Sequence, residues 1–131
     1  MTPAELFATV PVARLATVGP DGAPRLVPIV FALVGTDVIV SAVDHKPKRT
    51  RALRRLADIA AEPRVSVLAD HYEADWSRLW WARADGTARV LETYAEGLEA
   101  LVERYPQYRG TPPAGPFIEI TVRRWAAWSP E

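Results

Sequence analysis

The chain has 131 residues, 49% of them hydrophobic and 24% charged, with 16 Lys+Arg against 16 Asp+Glu. That length and balance fit one soluble domain able to bury a real core. With no cysteine and only His45 and His71, disulfides, thiol nucleophiles and a multi-histidine metal site are excluded as working hypotheses. The N-terminus shows no basic segment leading into a long apolar run, and no apolar run approaches the ~18 residues of a membrane span. These absences predict a cytoplasmic protein without a membrane partner. Arg outnumbers Lys 14 to 2, which resembles a high-GC bacterial coding bias.

Thr2-Pro3-Ala4-Glu5 forms a capping box with Pro at the first helical position, so a short helix to about Ala8 is predicted. Val12 to Val18 reads as a strand. Gly19-Pro20-Asp21-Gly22 is a turn, and Ala23 to Leu33 returns as a second strand. Pro24 and Pro28 make that strand an edge, or bulged near Pro28, because proline removes a ladder donor. Gly35-Thr36-Asp37 turns into a third strand, Val38 to Val43, completing a meander of three antiparallel strands.

The stretch 44–56 follows. Lys46, Lys48, Arg49, Arg51, Arg54 and Arg55 fall within ten positions, leaving ten basic and sixteen acidic residues elsewhere. A strand precedes this cation and a helix follows it. Backbone N–H groups and the helix dipole favour an anion at such a junction. A solvated basic face is the bland alternative. A nucleic-acid surface needs the same charges, but the stretch has no aromatic residue for stacking, so no nucleic-acid partner is predicted.

Arg49 to Ile59 reads as a helix with Leu53, Leu56, Ala57 and Ala60 on its apolar side, ended by Glu62-Pro63. Arg64 to Ala69 is a strand and Asp70 to Ser77 a polar, aromatic loop. Leu79 to Leu91 is a strand pair or one long bent strand punctuated by Asp85-Gly86. Thr93 to Arg104 is a helix with Thr93 as cap. Pro106 to Pro116 is irregular, Phe117 to Val122 a half-buried strand, and Arg123 to Glu131 a tail. About six strands and two helices predict a mainly β, six-stranded antiparallel barrel.

Several stretches together resemble a known family. Arg14-Leu15-Ala16-Thr17-Val18-Gly19-Pro20-Asp21-Gly22-Ala23-Pro24, then Val27-Pro28-Ile29-Val30-Phe31, is similar to the opening meander of the pyridoxamine-phosphate-oxidase-like (PPOX-class) split β-barrels. The block Asp70 to Gly86 resembles the probable coenzyme F-420 (deazaflavin)-dependent branch of actinobacteria. The resemblance spans nearly the whole chain. It implies an FMN-binding split-barrel fold with Greek-key-like topology. It also implies a homodimer with cofactor sites at the interface, and an oxidoreductase moving a hydride to a small unsaturated or electron-poor substrate. Carried over by position, Lys46, Lys48, Arg49 and Thr50 hold the phosphate end. Pro28, Ile29 and Val30 line the ring, with Ser41 and Ala42 on the neighbouring strand.

The oxidase branch typically has an Arg-Gln-Val-Arg run before a Gly. Here Trp80-Trp81-Ala82-Arg83 precedes Gly86, which disfavours pyridoxamine-phosphate oxidation. Adjacent strand residues face opposite sides, so one Trp packs inward while the other lines a pocket or a partner. By position in that run, the resemblance adds Trp81 and Arg83 to the cofactor-site residues. No catalytic residue is assigned; solvent, His71 or Tyr72 remain as proton sources, and His71 reads first as a satisfied loop histidine. FMN is the alternative cofactor, and a non-catalytic flavin, deazaflavin or haem binder the alternative function.

Overall fold

The computed structural model describes residues 1–43 and 49–130. In chain order these form α1 (Pro3–Phe7), β1 (Ala13–Val18), β2 (Pro24–Ile29), β3 (Ala32–Val34), β4 (Val38–Ala42), α2 (Arg49–Ala61), β5 (Arg64–His71), a 3-10 turn (Trp76–Arg78), β6 (Trp80–Leu91), α3 (Ala95–Arg104), α4 (Pro106–Gly110) and β7 (Phe117–Trp128). The seven strands make one antiparallel sheet in the order β2-β1-β5-β6-β7-β4-β3. The end strands β2 and β3 do not pair, so the barrel is split and not closed. The predicted strand count of six is corrected to seven by this sheet, and the split-barrel architecture stands.

The extra strand arises where the predicted second strand breaks. β2 pairs with β1 and β3 with β4, and only Val30 and Phe31 join them. At this bend side chains replace the ladder. Ser41 Oγ donates to the Val30 carbonyl at 2.8 Å, and the Phe31 N–H donates to Tyr105 Oη at 2.9 Å. Tyr105 shares its own proton between the Phe31 and Pro11 carbonyls, at 2.8 and 2.9 Å. Buried backbone groups need such partners. β2 lies at the sheet edge, where its prolines cost no ladder bond.

The capping box is present: Thr2 Oγ1 accepts from Glu5 N at 3.1 Å, and Glu5 Oε1 accepts from Thr2 N at 2.7 Å. α3 begins later than predicted. Tyr94, not Thr93, is its cap, with no side-chain bond to the helix. Within Pro106 to Pro116, Pro106–Gly110 is helical.

β6 is one strand of twelve residues with a register shift at Asp85/Gly86. Opposite it, β7 runs six residues past the predicted end. Asp85 pairs with Arg124 and Gly86 with Val122, leaving Arg123 as the extra residue of a bulge. A bulge reverses the alternation. Val122 is buried and Arg123 and Arg124 are exposed, after which Trp125 packs on the core. Gly86 makes the close crossing possible, since a Cβ there would stand 2.1 Å from the Thr121 carbonyl oxygen.

The main core lies inside the sheet. Leu15, Phe31, Ile39, Val67 and Ile118 are fully buried there, and Phe7 of α1 packs edge-on against Phe31 and Trp125 at 5.6 and 5.3 Å. Each such side chain contributes roughly 1.5–3 kcal/mol. A second cluster, including Ala32, Val40, Leu101 and Tyr105, packs β3 and β4 against α3.

α2 starts where predicted and runs two residues further, and its apolar side is only partly the predicted one. Leu56 packs on the core as expected and the side chain of Leu53 lies outside the described residues, but Ala57 and Ala60 are exposed, while Asp58 and Ile59 are buried. Ile59 offers far more apolar area than an alanine, and turning it inward carries Asp58 with it.

Candidate functional site

Two concavities involve predicted site residues or their immediate neighbours. The first, about 410 Å³, lies between α2 and the β1–β2 hairpin. Thr17 comes from β1, Arg25 and Leu26 from β2, and Arg54, Arg55 and Asp58 from α2. Arg54 and Arg55 belong to the basic stretch singled out in the sequence. Arg25 and Asp58 were not anticipated. The available signal was that Asp58 is the one acid between Lys46 and Ala61, three residues from Arg55 and four from Arg54.

Asp58 is only 6% exposed. Arg25 Nε lies 3.2 Å from its Oδ2, yet not aligned as a hydrogen bond, so among the described residues Oδ2 has no hydrogen-bond donor. Burial lowers the pKa of the Arg55 guanidinium below its ordinary value, though it stays cationic. The cleft thus gathers three guanidinium groups around one buried carboxylate.

The second concavity, about 320 Å³, is on the outer face of the sheet. It is lined by Leu68 and Asp70 of β5, Tyr72 just beyond, and Trp81 and Arg83 of β6. Trp80 packs on the core, so the two adjacent indoles do face opposite sides. The Arg83 guanidinium lies 5.8 Å from the Trp81 ring centroid. Its Nε donates to both Asp85 oxygens, at 3.0 and 3.2 Å, and Ser66 Oγ donates to the same carboxylate at 2.7 Å. Asp85 therefore orients a half-exposed Arg83 whose remaining N–H groups are available to an anion. The indole supplies a flat apolar surface.

The other predicted residues are dispersed. Pro28 is exposed on β2, whereas Ile29 belongs to the main core. Val30 and Ala42 pack in the α3 cluster, and Ser41 is buried with its hydroxyl on Val30. Lys46 and Lys48 lie outside the described residues, as do the side chains of Arg49 and Thr50. His71 is tied to Glu73 through Nε2, and Arg78 Nε sits 3.4 Å from the same Glu73 oxygen. Among the described residues, no group of three His, Asp or Glu side chains is placed to hold a metal.

The register gives the spacing between the predicted parts. Pro28, Arg14, Leu68 and Arg83 follow one another across four strands. Three strand separations put Pro28 and Arg83 about 14 Å apart. The outer face also exposes Leu26 at 73%, with Leu68, Tyr72 and Trp128.

Residues 4–129 match the family model described as pyridoxamine 5'-phosphate oxidase. No curated protein matches. Among solved structures, the conserved hypothetical protein Rv2991 of Mycobacterium tuberculosis is similar, with a TM-score of 0.73 and 21% identity over 96% of this chain and 81% of that one. A FAD-binding protein of Mesorhizobium loti has a TM-score of 0.69 and 20% identity, over 94% and 87% of the two chains. A haem-binding protein of Mycobacterium smegmatis has 0.68 and 18%, covering 97% of this chain but 56% of that one. At these identities the shared property is the fold.

Proposed function

The chain belongs to the pyridoxamine 5'-phosphate oxidase family, and from that premise we propose an oxidoreductase that holds a phosphorylated flavin-type cofactor, coenzyme F-420 in the first reading. It would pass a hydride to a small unsaturated or electron-poor substrate. The observation that carries this is the Trp81–Arg83 pocket, an indole face beside an oriented guanidinium. When bound, the deazaflavin supplies the hydride chemistry. Trp81 stacks a planar group, Arg83 meets an anionic one, and Leu68 and Tyr72 exclude water. Lys46, Lys48, Arg49 and Thr50 hold the cofactor's anionic end. Two indoles in place of the oxidase branch's polar pair disfavour pyridoxamine phosphate.

The ~14 Å between Pro28 and Arg83 separates the ring-lining strand from Arg83 within one chain. A two-fold homodimer, which brings one protomer's Arg83 towards its partner's β2, resolves this and buries Leu26, Leu68, Tyr72 and Trp128. Light scattering should give twice 14.5 kDa; a monomer at micromolar concentration removes the shared site. A flavin or haem carrier is the second reading, favoured by the fold neighbours described as FAD-binding and haem-binding.

Titration monitored by tryptophan fluorescence decides between these. F-420 should quench and FMN should not, with affinity at least tenfold weaker in Trp81→Ala. Binding of FMN or haem alone overturns the deazaflavin reading. Pyridoxamine-phosphate oxidation at an enzyme-like rate, on the order of 1 per second, overturns the substrate reading.

A further inference from the structure

We infer that the Trp81 pocket on the outer face of the sheet selects a flat ligand carrying a positively charged nitrogen, and that Asp70 makes the selection. The inference rests on the reading of this pocket as the substrate side of the site. It adds a charge to a substrate described so far only as unsaturated or electron-poor.

The first observation is an uncompensated carboxylate. Asp70 lines the pocket and is half-buried, and among the described residues its side chain has no ion pair or hydrogen bond. The ionic groups around it are paired with one another. Arg83 Nε is 3.0 Å from Asp85, and His71 and Arg78 both meet Glu73. Arg14 stands beyond Leu68, two strands from Trp81, and does not line the pocket. A half-buried charge without a counter-ion costs free energy that a cationic ligand offsets.

The second is position. Asp70 is directly opposite Trp81 in the β5–β6 ladder, which puts their Cβ atoms about 5 Å apart. Arg83, opposite Leu68, is diagonal to Asp70 at ~7–8 Å, within reach of a long side chain. It bonds Asp85 instead, so Asp70 is left to a ligand. An aromatic face with a carboxylate at its edge holds an organic cation twice, through the ring quadrupole and through the ion pair. The Trp81 ring already has one cation near it, the Arg83 guanidinium at 5.8 Å from its centroid.

The third is how ligand classes divide. A neutral apolar ring uses Trp81, Leu68 and Tyr72 but leaves Asp70 desolvated. Arg83, Asp85 and Asp70 together carry one net negative charge, so the phosphate dianion of pyridoxamine phosphate is repelled. A flat ring with a positive nitrogen towards Asp70 and an acceptor atom towards Arg83 uses every lining residue. At about 320 Å³ the pocket is near the lower end of small-molecule sites, which suits one or two fused rings. A cationic C=N group is also an electron-poor form of an unsaturated bond, and this joins the selection to the proposed hydride acceptor.

Calorimetric titration of the full chain without cofactor tests the selection. N-methylquinolinium is the cationic probe, and 4-methylquinoline, at a pH where it is uncharged, is the neutral probe of similar shape. The cation is expected to bind at least tenfold more tightly. Asp70→Asn keeps the side chain's size and should bring the two affinities within threefold of each other by weakening the cation alone. Glu99→Gln removes the same charge at an exposed position of α3 and should leave the preference intact. Equal affinity for the two probes, a preference that survives Asp70→Asn, equal loss in both variants, or no binding of either probe up to millimolar concentration overturns the inference. So does a fall in molar mass by light scattering in Asp70→Asn, which marks Asp70 as a charge paired across a subunit interface. The redox reading fails separately. If F-420 does not quench tryptophan fluorescence, that reading falls while a measured cation preference still upholds the site. If F-420 binds and no cation preference exists, this inference alone falls.

Discussion

Removing Arg25 should expose the energetic cost of Asp58. The pair stands at 3.2 Å, with Asp58 6% exposed and the Arg25 side chain 43% exposed. At an effective dielectric of about 20 the gross attraction is roughly 5 kcal/mol. Solvent at Arg25 screens much of this, while an unpaired buried carboxylate typically costs about 3–5 kcal/mol. Because the cleft opens to water on the Arg25 side, we expect Arg25→Met to destabilise by about 1–3 kcal/mol. Asp58→Asn keeps the volume and removes the charge, so it should cost less than Arg25→Met. The double variant should be more stable than Arg25→Met alone, because no orphaned charge remains. Urea unfolding of all four proteins closes the cycle. With a slope near 2 kcal/mol/M, a 2 kcal/mol loss moves the midpoint by about 1 M. A coupling energy indistinguishable from zero, or a double variant less stable than Arg25→Met, would refute the reasoning.

Gly86→Ala places a methyl 2.1 Å from the Thr121 carbonyl oxygen, so the bulge must shift at a cost of about 1–3 kcal/mol or more, read by thermal unfolding. Tyr105→Phe strips the hydroxyl that satisfies the Phe31 N–H and shares a proton with the Phe31 and Pro11 carbonyls; a loss of roughly 2–4 kcal/mol in denaturant unfolding follows from unsatisfied buried groups. Arg64, by side-chain and backbone hydrogen bonds, holds the Glu62 carboxyl down at about 2. Its folded pKa is depressed, so its contribution is present above the ordinary value of 4.5 and lost as pH falls towards 2. Glu62→Gln should flatten the stability profile across that window, and an unchanged slope would show that other carboxylates set it.

The amino-acid sequence by itself determined the features that depend on near neighbours. The Thr2–Glu5 box closes over three residues, the turn at Gly19 to Gly22 needs only its own backbone, and the helical span of α2 follows from local periodicity. Strand alternation alone was enough to separate the Trp80 and Trp81 faces. The tertiary structure decided whatever depended on distant partners. The bend at Val30–Phe31 is completed by Tyr105, 74 residues beyond Phe31. The bulge at Arg123 reversed the parity of β7, so two adjacent arginines ended the sequence pattern while the strand itself continued. The rotation of α2 was set by the competition of Ile59 with two alanines for the core, and that competition buried Asp58. The Arg25–Asp58 cleft follows from this rotation and from the position of β2 at the sheet edge. A charge pair separated by 33 positions leaves no periodic trace in the chain, because its partners meet only when the sheet curls and the helix packs against it.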